Sequence, residues 1–147
     1  MQRYLGLDIG KQRTGVALVD DENRLATPLE TIFFEVNSNQ YIERLTDLIR
    51  EWEAKLLIVG LPIDLKGKEA IAANEMRKTV EEMMKIVNTS LSKKGSENVE
   101  VIFIDERLTT AQAEKSLIQA QFSAEHRKKH RDSLAAALIA QTWVDTL

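Results

Sequence analysis

Two short runs constrain this chain more than any other feature. LLIVG (Leu56–Gly60) and VEVIFID (Val99–Asp105) place apolar residues at nearly every position, whereas a strand with one face in water alternates apolar and polar. Runs of this kind belong to strands covered on both faces. They predict a sheet with helices above and below it, its later strands parallel and joined by right-handed helical crossovers. The stretch between them supplies one crossover. Helical spacing predicts a helix from about Ala70 to Leu91, with Met76, Val80, Met83, Met84, Val87 and Leu91 along its buried stripe. Those methionines read as core rather than as cofactor contacts.

The flanking segments complete the pattern. Tyr4–Ile9, Thr14–Val19 and Leu25–Phe34 read as three strands joined by short turns, an antiparallel meander, with Pro28 suiting the third to an edge. Tyr41, Ile42, Leu45, Leu48, Ile49 and Trp52 follow helical spacing behind the cap candidates Asn37, Ser38 and Asn39. Thr109 with Gln112 forms a capping box opening a helix to about Gln121, and a last helix runs from about Asp132 to Val144. The expected architecture is α/β: a mixed five-stranded sheet, its early strands antiparallel, flanked by helices. At 147 residues the chain is expected to form a single domain over residues 1–147.

Composition narrows the function classes. No apolar run approaches the length of a membrane span, and the N-terminus lacks the basic-then-apolar pattern of a secretory signal. The absence of cysteine excludes disulfides, thiolate zinc sites and a cysteine nucleophile, and makes the cytoplasm the expected compartment. The net charge of −3 does not advertise a nucleic-acid binder, but it conceals local clusters. EHRKKHRD (Glu125–Asp132) holds four Lys or Arg, namely Arg127, Lys128, Lys129 and Arg131, within eight residues. Lys11 and Arg13 occupy one turn, and Lys66 and Lys68 another. Such patches suit phosphate binding, although a charged run is also an ordinary solvated loop. The eight Phe, Trp and Tyr residues mostly fall on core faces, so no aromatic stacking surface is expected.

Against this background three acids stand out by position. Asp8 lies on the first strand, on the side opposite Leu5, Leu7 and Ile9, where a carboxylate is costly unless paired or bound to a cation. Glu106 comes where the fifth strand stops. Asp132 opens the last helix and precedes Ala135, Ala136, Ile139 and Trp143 by 3, 4, 7 and 11 residues, which sets it on the apolar stripe. Each has a local explanation: Asp8 as a turn cap near Gly10, Glu106 paired with Arg107, Asp132 as a helix N-cap. If they meet instead, mutual repulsion raises their pKa values unless a cation sits among them, and all-oxygen ligands select magnesium or manganese. Two such ions suffice for phosphodiester hydrolysis, with Lys11, Arg13, Arg107 and the basic run holding phosphates. Gly6 and Gly10 are expected to leave room beside Asp8. His126 and His130 lack the Glu of an H-E-x-x-H zinc site, and neither a P-loop nor a G-x-S-x-G elbow occurs.

The set LDIGKQRTGVAL (Leu7–Leu18), VGLPIDLKG (Val59–Gly67), DERLTTAQA (Asp105–Ala113) and DSLAAALIAQ (Asp132–Gln141) resembles, in order and along essentially the whole chain, the bacterial YqgF family, also called RuvX. The resemblance implies a ribonuclease H-like fold with sheet order 3-2-1-4-5. It also implies an acidic triad of Asp8, Glu106 and Asp132 for catalysis and metal binding, and a role as a pre-16S rRNA nuclease. An older label for the family is Holliday junction resolvase. One departure is Gln12-Arg13 where the family usually has Lys-Arg, which shifts a phosphate contact to Lys11. Actin-like ATPases share the strand-D-x-G opening but need two such domains. A non-catalytic nucleic-acid-binding module would have no need of three inward acids. Structured RNA is the favoured partner and branched DNA the alternative; nothing in the sequence selects monomer or dimer.

Overall fold

The computed structural model describes residues 1–62, 68–106 and 131–147; the side chains of 68–70 and 131–132 lie outside that description. The elements are β1 (Arg3–Ile9), β2 (Thr14–Asp20), β3 (Thr27–Ile32), α1 (Asn39–Trp52), β4 (Ala54–Leu61), α2 (Lys68–Lys93), β5 (Glu100–Asp105) and α3 (Arg131–Val144). The sheet order is β3-β2-β1-β4-β5, with β1–β2 and β2–β3 antiparallel and β1–β4 and β4–β5 parallel. The mixed five-stranded sheet and its strand order match the expectation. The helix expected over Thr109–Gln121 lies outside the described residues.

Strand alternation divides the core into two layers. Leu5, Leu7, Ile9, Val16, Leu57 and Val59 face α1 and α2, where they pack with Tyr41, Leu45, Leu48, Val80, Met83, Val87 and Leu91. Tyr4, Ala17, Val19, Ile58 and Ile104 face α3, against Ala136, Ala137, Ile139, Ala140 and Val144. The near-continuous apolar runs of β4 therefore have a burial partner on each side. Ser38 caps α1 by accepting from the Tyr41 amide at 3.3 Å, and Thr14 Oγ1 donates to the buried Tyr41 hydroxyl at 3.1 Å.

The third strand is shorter than Leu25–Phe34. It starts at Thr27 because the Ala26 amide donates to Gln141 Oε1 of α3 at 2.9 Å instead of entering a ladder. It stops at Ile32 because that residue pairs with Thr14, the first residue of β2, so Phe33 and Phe34 have no strand left to pair with. Pro28 sits on this edge strand, beside a register shift between Val16 and Ala17.

α3 lies very close to the sheet. A Cβ at Gly6 would stand 2.7 Å from the Ala136 carbonyl oxygen and 2.8 Å from Ala140 Cβ. Further along the helix, the Tyr4 and Trp143 rings meet edge to face, centroids 5.0 Å apart. Small residues on both elements permit the approach. The helix therefore descends β1 with its N-terminal end at the strand's C-terminal end.

A carboxylate cluster at the parallel strand ends

Because β1, β4 and β5 run parallel, their C-terminal ends share one sheet edge. Leu7 is level with Val59, and Gly60 with Ile104, so Asp8 stands one step further along in the row of Gly60. Asp8 follows Tyr4 and Gly6 onto the α3 face, and its antiparallel partner on β2 is Gly15. Both strands beside Asp8 thus carry glycine at its level.

Glu106 immediately follows β5 and folds back over Gly60: a Cβ there would be 2.8 Å from Glu106 Oε1, 3.0 Å from Glu106 Cγ and 2.6 Å from Ile139 Cδ1. Its carboxyl is pushed above the ordinary range, first by burial and then by the negative charges of Asp8 and Asp105. Asp8 and Glu106, far apart in sequence, are therefore electrostatic neighbours. Asp105 is a third contributor that the sequence reading did not single out. Its place on β5 next to Glu106 was visible, but β alternation alone predicts that neighbouring residues point apart.

Asp132 lies within α3, four residues before Ala136. Four helical residues rise about 6 Å, close to the ~6.6 Å that separates Gly6 from Asp8 along the strand. The backbone of Asp132 is thereby level with Asp8; its side chain lies outside the described residues. The next residue, Ser133, is fully buried against the sheet. Among the described residues no group of three His, Cys, Asp or Glu side chains forms a ligand cluster.

The two glycines expected to open space at Asp8 do something else. The room above Gly6 is filled by the backbone of α3, and a Cβ at Gly10 would lie 2.8 Å from the Arg13 carbonyl oxygen, across a turn closed by the Gly10 amide on that same oxygen at 2.9 Å. That turn carries Lys11 and Arg13, both exposed, at the same sheet edge as Asp8. Lys66, Arg107, Arg127, Lys128 and Lys129 lie outside the described residues, as do the side chains of Lys68 and Arg131. No helix among the described residues is long and apolar enough to cross a membrane.

Comparison with known proteins accords with this geometry. T. thermophilus RuvC, solved in complex with a Holliday junction substrate, superposes with a TM-score of 0.55 at 18% identity, over 97% of this chain and 92% of that one. Fowlpox virus resolvase does so with a TM-score of 0.52 at 10% identity, over 99% and 98%. These likenesses show a shared ribonuclease H-like fold. In sequence, a protein of Sulfurihydrogenibium sp. named "Putative pre-16S rRNA nuclease" is 38% identical over all of this chain and 92% of its own length. One of the same name from Lactococcus lactis subsp. cremoris is 39% identical over 97% of this chain and 94% of its own. The family model described as "RuvX: Holliday junction resolvase" matches residues 2–146, and the chain belongs to that family.

Proposed function

We propose that this chain is a metal-dependent endonuclease that hydrolyses phosphodiester bonds in the 5′-end maturation of pre-16S rRNA, acting in the cytoplasm as one domain over residues 1–147. Asp8, Glu106 and Asp132 are its catalytic and metal-binding carboxylates. The observation that carries this reading is the placement of Glu106, which folds back from the end of β5 over Gly60 in the row of Asp8, at the sheet edge where α3 begins. A half-buried carboxyl among like charges is a poor design for stability and a good one for a cation.

The donor set fits a hard divalent ion. Asp8, Glu106 and Asp132 would hold magnesium or manganese through oxygen alone. When bound, such an ion supplies a water of lowered pKa and neutralises charge on the leaving oxygen. The chain's own residues do the rest. Lys11 and Arg13 hold the substrate's phosphates at the edge of the sheet, and Lys66, Lys68, Arg107, Arg127, Lys128, Lys129 and Arg131 extend that contact along the backbone. Gly60 leaves the space in which Glu106 lies back toward Asp8.

The test is cleavage of a labelled RNA containing the leader junction of the small ribosomal RNA, with a four-way DNA junction alongside, by wild type and Asp8→Asn in magnesium and in manganese. Cutting of the RNA that disappears in Asp8→Asn is the expected result. Cutting of the DNA junction alone would transfer the activity to a resolvase. Binding without cutting, equal in both proteins, would overturn the nuclease reading in favour of a binding module.

A further inference from the structure

Phe33 and Phe34 are 69% and 43% exposed, the only adjacent pair among the large exposed hydrophobic residues of the described chain. Exposed aromatics are ordinary when scattered singly; a neighbouring pair on an anchored segment calls for a partner. The anchoring is specific. Ile32 before the pair is locked in the sheet opposite Thr14, and beyond it the Val36 amide donates to the Lys11 carbonyl oxygen at 3.0 Å. Asn37 Nδ2 then donates to the Thr79 carbonyl oxygen of α2 at 3.2 Å, and Ser38 caps α1. The two rings thus stand on a short bridge held at both ends.

Position supplies the second argument. The row Ile32–Thr14–Ile9 marks one sheet edge; Phe33 and the Lys11–Arg13 turn lie just beyond it, and Asp8 lies one residue inside it, paired with Gly15. The bridge is bonded directly to that cationic turn through Lys11. Two strand spacings separate β3 from β1, about 10 Å, which is roughly three stacked nucleotides. Glu35, also exposed, follows the pair, so charge does not make the bridge itself attractive to phosphates; the ring faces must do so through bases.

We infer that Phe33 and Phe34 form a stacking platform for unpaired bases about three nucleotides from the phosphate held at Asp8, so that the site takes a nucleic acid whose strand is single near the point of cutting. Aromatic faces stack on any base but cannot reach bases within an intact duplex. Lys11 and Arg13 track the backbone between the platform and the acids. This inference rests on the nuclease reading of the same edge and adds to it the secondary structure of the substrate.

The test measures binding in EDTA, so that the strand is not cut, using a short single-stranded RNA with 2-aminopurine at its centre and the same strand in a perfect duplex. The proteins are wild type, Phe33→Leu/Phe34→Leu, Phe33→Leu alone as the milder change, and Lys11→Ala. The double variant is expected to bind the single strand at least about tenfold more weakly, the lower part of the range for losing a base–aromatic stack. Its duplex affinity and its salt slope are expected to be unchanged, and the 2-aminopurine quenching lost. Lys11→Ala is expected instead to reduce the salt slope by about one. Single-strand binding and quenching equal to wild type in both Phe variants would overturn the inference while leaving the nuclease reading intact. Wild type that binds neither form would overturn both. A change from dimer to monomer in the double variant, with nucleic-acid affinity unaltered, would overturn it by making the pair a contact between copies of the chain.

Discussion

Two glycine-to-alanine substitutions on neighbouring strands are expected to separate the fold from the site. Both glycines lie in strand backbone without positive φ, so an added Cβ is judged by the space it meets. At Gly6 it meets backbone: the Ala136 carbonyl oxygen at 2.7 Å and Ala140 Cβ at 2.8 Å. Non-bonded carbons settle at about 3.5–4.0 Å, so α3 would have to lift by nearly an ångström. Overpacking of this kind costs ~1–3 kcal/mol, and the stiffer unfolded chain returns ~0.4–1. The net expectation for Gly6→Ala is a loss of about 1.3 kcal/mol. At Gly60 the Cβ meets side chains, Ile139 Cδ1 at 2.6 Å, Glu106 Oε1 at 2.8 Å and Glu106 Cγ at 3.0 Å. Ile139 can turn its terminal methyl and Glu106 can swing outward, so the net stability cost is expected to stay below ~1 kcal/mol. The swing moves a carboxylate by about 1 Å, a displacement that costs on the order of 100-fold in rate. Urea unfolding and cleavage kinetics on the same preparations check both halves. Gly60→Ala as destabilising as Gly6→Ala, or Gly60→Ala cutting at the wild-type rate, would refute the assignment of Gly6 to helix docking and Gly60 to the carboxylate.

Three further outcomes follow from the same contacts. Glu106→Gln removes a charge that burial, Asp8 and Asp105 all oppose: metal-free, the variant is expected to be more stable than wild type at neutral pH, and a rise in melting temperature with magnesium is expected in wild type and not in the variant. The sign is fixed by linkage. A carboxyl raised in the folded state holds its proton where the unfolded chain has released it, so stability falls as pH rises through that interval; in metal-free Glu106→Gln this fall should be absent from the unfolding free energy measured against pH. Gln141→Leu strips the buried Ala26 amide of its acceptor at 2.9 Å and the Arg24 carbonyl oxygen of its donor at 3.0 Å, an expected loss of about 2 kcal/mol with faster amide exchange at Ala26 as the local check. Burial pushes the Tyr41 hydroxyl up to about 12 from 10.0, so its contribution is intact below pH 10 and lost as pH rises to about 12, a fall of about 2–3 kcal/mol that alkaline unfolding of Tyr41→Phe should no longer show.

How much of this was legible in the sequence depended on how local each cause was. β4 and α2 could be read because a run of apolar residues and a helical stripe are properties of neighbouring positions. Asp8 could be read because its face is set by alternation along a single strand, and the α3 side of that strand is where it lies. Phe33 and Phe34 fit a strand by type, since aromatic residues are enriched there. What excludes them is that β2 begins at Thr14, a limit imposed by another strand. For the same reason no stacking surface was expected: an aromatic is assigned to a core face by its element, and here the element ends one residue too soon. The glycines misled in the same way. Gly6 reads as open space beside Asp8, but α3 fills it, from a segment more than a hundred residues later in the chain. The lack of a side chain says that something comes close without saying what.

The two ends of α3 explain how a costly arrangement of acids persists. At its N-terminal end the helix starts at the sheet edge that bears Asp8 and Glu106, where burial and the charges of Asp8 and Asp105 raise the Glu106 carboxyl. At the other end it is held by contacts that involve no charge at the site. Gln141 reaches across to the backbone before β3, Trp143 meets Tyr4 edge to face, and Ala140 and Ala136 close on Gly6. The apolar and amide contacts pin the helix from below and hold its start at that edge without drawing on any charge there. On the proposed nuclease reading, a hard cation would meet backbone already fixed by these contacts. The price is a face that folds against its own electrostatics, and the small residues along α3 are what make that possible: each side chain omitted from the interface between helix and sheet brings the backbone closer and strengthens the packing that opposes the repulsion.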